Sequence, residues 1–264
     1  GGTARLADGR ARKTSPAALG DLGRIGDLHG IAPAANEIAI GATTTIAELL
    51  ASAIVAERAP VLHAACATFA SPLVRNRATI GGNLAHGSPA GDMGPALLVL
   101  DASIELKSVR GKRLVRAVDF WKGPGKTTRK SDEIVTSIRV PVGHAPCACV
   151  WKKLALRKAD AISVASVAAR LTFAASGTVE SARIALGAVA PTPLRVAQAE
   201  AALTGKPIGP EPMAYAAEAA AAACSPIDDV RGSAAYRRRV IAALVRRALY
   251  EIAEPTSSAG RGKA

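Results

Sequence analysis

Apolar residues near the end of the chain recur every three or four positions. Val240, Ile241, Leu244, Val245, Ala248, Leu249 and Ile252 share one side of a helix, and Ser233 stands where it caps that helix. Before it, an Ala-rich run predicts a helix over 213–223, and residues 194–203 predict another that Gly205 stops. Three apolar-rich runs of strand length, 150–156, 163–174 and 182–189, predict three strands, with Ser176-Gly177 turning between the last two.

The pattern before residue 146 is more broken. Residues 37–41 predict a short strand that runs into Thr45-Ile46-Ala47-Glu48. This is a capping box, in which Thr45 caps the amide three residues on and Glu48 reaches back; the helix it starts runs through Ala53. Pro60 suits the first turn of the next helix, with Leu62 and Ala65 on one face. Residues 78–83 read as a strand and turn, and Asp92 stands where it caps a helix from Met93 to Leu100. Runs 104–107 and 113–118 flank Arg110-Gly111 as a hairpin, and 134–140 alternates as a strand that Pro141 ends. The change of texture after Pro146 places a domain boundary near residue 145. The organisation expected is 1–145, 146–254 and a loose, polar, Gly/Ser-rich tail over 255–264.

Composition narrows the function classes. The chain has 264 residues, 49% of them hydrophobic, enough for one or two domains with a real core. Its most apolar stretches, 95–100 and 219–224, fall well short of the ~20 residues of a membrane span. With 3% aromatic residues, a base-stacking platform for nucleic acid is not expected. Lys and Arg number 34 against 21 Asp and Glu, a net charge of +13. The excess gathers at Arg5, Arg10, Arg12 and Lys13, and at Arg237, Arg238, Arg239, Arg246 and Arg247. No nucleic-acid recognition motif accompanies it, so an anionic ligand or an acidic partner subunit accounts for it better, and the C-terminal arginines are expected on a solvated or subunit-facing helix surface.

Metal and nucleophile chemistry find no support. Cys66, Cys147, Cys149 and Cys224 lack zinc or iron–sulfur spacing, and His29, His63, His86 and His144 have no metal spacing with them or with each other. Four cysteines in a chain this large do not make a disulfide framework, which points to a reducing cytoplasm. The chain opens on Gly-Gly-Thr rather than Met, a start that processing or an incomplete gene product would explain, and no signal peptide is expected. Gly125-Lys126-Thr127 ends like a phosphate loop, but Phe120 stands where that loop needs its first glycine. Ser88 is not in a Gly-x-Ser-x-Gly elbow.

The most informative segment runs from Thr79 to Asp92. Adjacent glycines, Gly81 and Gly82, let the backbone turn sharply and present successive N–H groups to the oxygens of a phosphate or pyrophosphate. The same pair also suits a plain turn. Thr79, Asn83 and Ser88 add side-chain hydrogen bonding.

Ala78-Thr-Ile-Gly-Gly-Asn83 followed by Ser88-Pro-Ala-Gly-Asp92 resembles the flavin-binding medium subunit of the molybdenum hydroxylases, the family of xanthine dehydrogenase, carbon monoxide dehydrogenase and related aldehyde or N-heterocycle oxidoreductases. Ser71-Pro-Leu-Val-Arg-Asn76, Ile40-Gly-Ala-Thr-Thr44, Gly123-Pro-Gly-Lys-Thr127, Asp132-Glu-Ile134, Lys153-Leu-Ala-Leu-Arg157 and Asp228-Asp-Val-Arg-Gly-Ser-Ala-Ala-Tyr-Arg237 are similar to the family's segments and cover nearly the whole chain. The resemblance implies an α+β fold: a two-lobed FAD-binding domain of the PCMH type, its first lobe incomplete, followed by a smaller domain with a three-stranded antiparallel sheet and helices.

It also implies roles. Thr79, Ile80, Gly81, Gly82 and Asn83 would hold the FAD pyrophosphate, and Asp92 would make a second flavin contact alongside or instead of capping its helix. Val135 and Lys153 fall where the family contacts the isoalloxazine; a cation there would stabilise negative charge on the reduced ring, whereas the plain reading of Lys153 is a surface lysine. Phe69 would wall the cofactor or simply belong to the core, and His86 would approach the ring or be a loop residue. Gly1, Gly2 and Thr3 match the family's first flavin motif, but Ala4 replaces its Asp and the strand and helix that precede it there are absent, so the chain reads as a truncated member.

The expected function is an FAD-binding electron-transfer subunit with no catalytic or metal site of its own. It would take electrons from [2Fe–2S] clusters of a small subunit and pass them to NAD or another acceptor. The substrate would be hydroxylated at a molybdopterin site in a large subunit, the whole a dimer of heterotrimers. The alternatives are a flavin-free assembly subunit of the same complex and, third, a basic nucleic-acid binder.

Overall fold

The computed structural model describes residues 3, 18–142, 147–157 and 162–254. Strands β1 (Ile31–Pro33) and β2 (Glu37–Gly41) lead into six short helices, α1 (Ile46–Ala51), α2 (Ala53–Arg58), α3 (Pro60–Ala67), α4 (Pro72–Arg75), α5 (Ile80–His86) and α6 (Met93–Val99). Then come β3 (Ser103–Ser108), β4 (Gly111–Arg116), α7 (Ala117–Phe120), the small hairpin of β5 (Trp121–Gly123) and β6 (Lys126–Thr127), and β7 (Ile134–Pro141). The five long-range strands form one antiparallel sheet in the order β1-β2-β7-β3-β4. Period-two alternation puts Ile38 and Ile40 of β2, and Ile138 and Val140 of β7, on the side covered by the helices, and a register shift in the β3–β7 pairing between Ser137 and Val135 brings Val135 into the same cluster.

The second part holds β8 (Cys147–Ala155), β9 (Ser163–Phe173), β10 (Val179–Gly187), β11 (Leu194–Arg195), α8 (Ala197–Leu203), α9 (Pro210–Ala223) and α10 (Ala234–Ala253). Its antiparallel sheet runs β11-β10-β9-β8. Strand β9 is buried almost throughout, because α10 packs on it and so does α6. That explains why apolar residues stand at successive positions, as in Val164-Ala165 and Val167-Ala168-Ala169, rather than alternating.

Two hydrophobic clusters result. One gathers Ile38, Leu49, Leu62, Leu97 and Ile138, the other Val167, Ile184, Met213, Ile241 and Leu249. Trp151, Ala168 and Ala185 lie on the second sheet yet belong to the first cluster, so that sheet closes the first core with one of its faces. All seven residues of α6 are buried between the two.

Several expectations are corrected. The helix expected through Ala53 breaks at Ser52, which ends α1 and caps α2 by accepting the Val55 N–H. Residues 80–83 are not a strand and turn: Thr79 caps the helix α5, its hydroxyl accepting the Gly82 N–H at 3.1 Å. Leu194 and Arg195 pair with β10 and give the sheet a fourth, two-residue strand, so α8 starts only at Ala197. The Ala-rich helix begins earlier than expected, at Pro210, whose missing N–H costs nothing in a first turn. Arg237 is 1% exposed rather than on a solvated or subunit-facing surface. Among the described residues, no helix is long and apolar enough to cross a membrane. The basic residues Arg5, Arg10, Arg12 and Lys13, as well as His144 and the tail 255–264, lie outside the described residues.

Candidate functional site

Helix α5 is stitched to the turn after β2. The Ile80 N–H donates to the Thr44 carbonyl at 3.0 Å and the Gly81 N–H to that of Ala42 at 2.9 Å. A Cβ on Gly81 would stand 2.6 Å from the Ala42 Cβ and 2.7 Å from its carbonyl oxygen, so only glycine permits this approach. The Gly82 and Asn83 amides turn back to the hydroxyl and carbonyl of Thr79. The four successive amides are therefore engaged within the protein. This corrects the expectation of free N–H groups facing a phosphate, and the polar groups this turn offers a ligand are side chains. Thr79, Asn83 and Ser88 are half-buried, and the Asn83 carboxamide has no hydrogen-bond partner among the described residues. A Cβ on Gly91 would reach within 3.3 Å of the Asn83 Oδ1, so the glycine keeps room beside that carboxamide.

One residue further on, Asp92 holds the N-cap position of α6 but does not cap it; its backbone is already helical and its carboxylate points elsewhere. Its Oδ2 accepts from Lys153 Nζ at 2.6 Å and its Oδ1 from the Ser163 hydroxyl at 2.6 Å. Burial pushes the Asp92 carboxyl above the usual carboxylate range, with the Lys153 charge opposing that shift. The Lys153 ammonium donates also to the Thr68 carbonyl at 3.0 Å, and its side chain is 6% exposed, which sets aside the surface-lysine reading. Trp151, two residues back on β8, donates its indole N–H to the Thr68 hydroxyl at 2.8 Å. Thr68 thus ties the second sheet to the turn after α3, where Phe69 sits half-buried outside the helix and Ala70 adopts a left-handed φ of 39°.

Asn83, Asp92, Lys153 and the turn holding Phe69 are thereby brought together. Val135 is buried in β7, against which α5 packs, and is a core side chain of the first cluster. His86 closes α5 and is exposed. Gly1 and Gly2 lie outside the described residues, and Thr3 is exposed. Sequence reasoning missed Ser163, Thr68 and Trp151. For Ser163 the sequence offers no distinguishing signal, because the strand carries Ser166 and Thr172 as well. A separate open basin of about 550 Å³, lined by Glu37, Glu105, Arg113 and Arg139 among others, shares none of these residues. Among the described residues no three His, Cys, Asp or Glu side chains converge to hold a metal ion.

Residues 1–143 match the family described as the FAD binding domain in molybdopterin dehydrogenase, and residues 151–252 the CO dehydrogenase flavoprotein C-terminal domain. The chain is 36% identical over 251 residues to the nicotine 6-hydroxylase medium subunit of Paenarthrobacter nicotinovorans, covering 95% of this chain and 87% of that one. It is 36% identical over 250 residues to the carbon monoxide dehydrogenase medium chain of Hydrogenophaga pseudoflava, covering 94% and 86%. The solved carbon monoxide dehydrogenase of Hydrogenophaga pseudoflava superposes with a TM-score of 0.92 at 37% identity, over 95% of this chain and 87% of that chain. Quinoline 2-oxidoreductase of Pseudomonas putida 86 superposes with a TM-score of 0.90 at 31% identity, over 96% and 87%. The chain belongs to the family of FAD-binding medium subunits of the molybdenum hydroxylases, oxidoreductase flavoprotein subunits whose cofactor is FAD.

Proposed function

We propose that this subunit carries electrons from [2Fe–2S] clusters of a small partner subunit, through its FAD, to NAD or another acceptor. The substrate is hydroxylated at a molybdopterin site in a large partner subunit, and the complex is a cytoplasmic dimer of heterotrimers. The medium-subunit and medium-chain names of its relatives support a multi-subunit setting. Its four described cysteines, all unpaired, are in keeping with a reducing compartment. The domain division proposed is the one near residue 145.

The observation that carries the site assignment is the buried Lys153–Asp92 pair beside the half-buried turn of Thr79, Asn83 and Ser88. FAD, when bound, supplies the redox chemistry. The residues fit that group through their donors: Asn83 and Ser88 side chains and the Thr79 hydroxyl would hold the pyrophosphate, with Gly82 presenting no side chain at the turn. Ile80 and Gly81 act indirectly, by locking the turn to Ala42 and Thr44. Lys153 places a positive charge near the isoalloxazine, and Asp92 orients it; an ammonium has three donors, and these contacts use two. Phe69 walls the cofactor, Val135 backs the turn from the core, and Gly1, Gly2 and Thr3 form a second flavin contact.

Reconstitution of the purified full chain with FAD tests the reading. The expected result is one FAD per chain, and in the complex its reduction by substrate and reoxidation by NAD or another acceptor. A chain that stays colourless after reconstitution overturns it in favour of a flavin-free assembly subunit.

A further inference from the structure

Segment 228–237, similar to the family in sequence, has no part in the site as described so far. In the structure it grips that site from the other end of the chain. Arg237, one turn into α10 and 1% exposed, donates to the Ala188 carbonyl at 2.9 Å, to that of Val164 at 3.3 Å, and to Asp229 Oδ1. Ala188 in turn donates its N–H to the Pro89 carbonyl at 2.9 Å, three residues before Asp92. Ala188 sits at φ 65°, a left-handed conformation that costs a non-glycine residue and persists only where its surroundings hold it.

A second route starts at the same carboxylate. Asp229 Oδ2 accepts from Arg231 Nη2 at 2.6 Å, and Arg231 Nη1 donates to the Ser163 carbonyl at 3.3 Å. The Ser163 hydroxyl donates to Asp92 at 2.6 Å. The two routes thus end on residues 89 and 92 of one short loop. A buried guanidinium costs desolvation that an apolar side chain of similar volume would not. What it adds is direction: five donors fixed in one plane, here addressing carbonyls of separate segments.

We infer that Arg231, Asp229 and Arg237 are positioning residues that hold the 89–92 loop and the Asp92 carboxylate, and through it the Lys153 ammonium, in the geometry that binds and tunes the flavin. The inference rests on the proposed flavin contact at Asp92 and Lys153. It makes the C-terminal helix part of the cofactor site without touching the cofactor.

The test uses the full chain reconstituted with FAD, reading the FAD dissociation constant, the flavin midpoint potential and the thermal midpoint. Variants are Ser163→Ala, Arg231→Ala and Arg231→Lys, with Asp92→Asn as reference and Arg238→Ala as control. Arg238 lies on the same helix and donates only to the Cys224 carbonyl among the described residues. Ser163→Ala and Arg231→Ala are expected to weaken FAD roughly tenfold, the loss of one charge-assisted hydrogen bond. They are also expected to move the potential in the direction of Asp92→Asn. Arg231→Lys recovers part of both, and Arg238→Ala changes neither. Should Arg231→Ala fail to fold, Ser163→Ala, which removes one oxygen atom, decides alone. Wild-type affinity and potential in Ser163→Ala, with both altered in Asp92→Asn, overturn the inference and leave the flavin contact standing. An Asp92→Asn chain with unchanged affinity and potential removes the contact itself, and the inference with it.

Discussion

The Asp92 carboxylate and the Lys153 ammonium meet at 2.6 Å across 61 residues of chain, one at the start of the buried helix α6, the other on the edge strand β8. Their side chains are 5% and 6% exposed. Either charge alone in that place would lack both water and a counter-ion, so each is tolerated only because the other is there. The pair lies where the second sheet closes the first core, which makes the joint between the two parts of the chain and the candidate flavin site the same place.

Breaking the pair is therefore expected to be costly for the fold. Asp92→Ala or Lys153→Met should each destabilise the chain by about 3–5 kcal/mol, because each strands a buried charge. The double variant should cost clearly less than the sum. Urea denaturation of the three chains closes the cycle, and additive effects would show that the two groups do not depend on each other.

The two glycines of α5 should behave differently. Gly81→Ala places a methyl 2.6 Å from the Ala42 Cβ and 2.7 Å from its carbonyl oxygen, and should cost about 1–3 kcal/mol. Gly82 lies in the same helix and outside the positive-φ region. Gly82→Ala should therefore leave the fold intact, or stabilise it by about 0.5–1 kcal/mol, while weakening FAD. Thermal melts and FAD titration separate the effects; a Gly81→Ala chain as stable as the parent would refute the packing argument.

Local signals in the sequence proved reliable where the partners are close along the chain. The Thr45–Glu48 capping box and the Ser233 cap close between residues three apart, and the hairpin of β3 and β4 grows outward from the Ser108–Gly111 pair. What was not legible depends on distant partners. The amides of residues 80 and 81 are used by Thr44 and Ala42, nearly forty residues upstream, and nothing local to the Gly-Gly pair announces it. Asp92 has the right residue type for a cap, yet a lysine and a serine from the second sheet take its carboxylate. Arg237 is instructive in another way. It precedes Ile241 by one helical turn and so falls on the buried face; its charge hid what its spacing implied, and Asp229 with three backbone carbonyls receives the guanidinium there.

Thiol chemistry should single out one cysteine. Cys147 is exposed, its Sγ 4.0 Å from that of Cys149; the hydrogen bond between the two thiols, with Arg170 nearby, lowers the Cys147 thiol below its usual range. Burial instead raises Cys66 to about 12 and Cys224 to about 11. Because the thiolate is the reactive form, iodoacetamide at pH 7 should label Cys147 first and leave Cys66 and Cys224 untouched until the chain unfolds. Peptide mapping by mass spectrometry gives the order. A Cys147 rate that still climbs tenfold per pH unit above pH 8 would contradict this assignment.

Acid sensitivity should trace in part to Glu133. Its carboxylate accepts from Arg113 Nε and Nη2, each at 2.8 Å, and from the Lys130 N–H at 2.8 Å. The Arg113 hydrogen bonds, then that of Lys130, lower its pKa from 4.5 to about 2. The folded chain therefore holds this proton less tightly than the unfolded one. The stabilisation is complete above pH 4.5, declines as pH falls from 4.5 towards 2, and is gone below that. Glu133→Gln removes the titration: it should be less stable than the parent at neutral pH, and the gap should close as the medium is acidified through that window. Urea midpoints for both chains from pH 7 down to the lowest pH at which they stay folded measure the gap. If the two profiles run parallel through the window, the Arg113–Glu133 pair is not a source of the acid dependence.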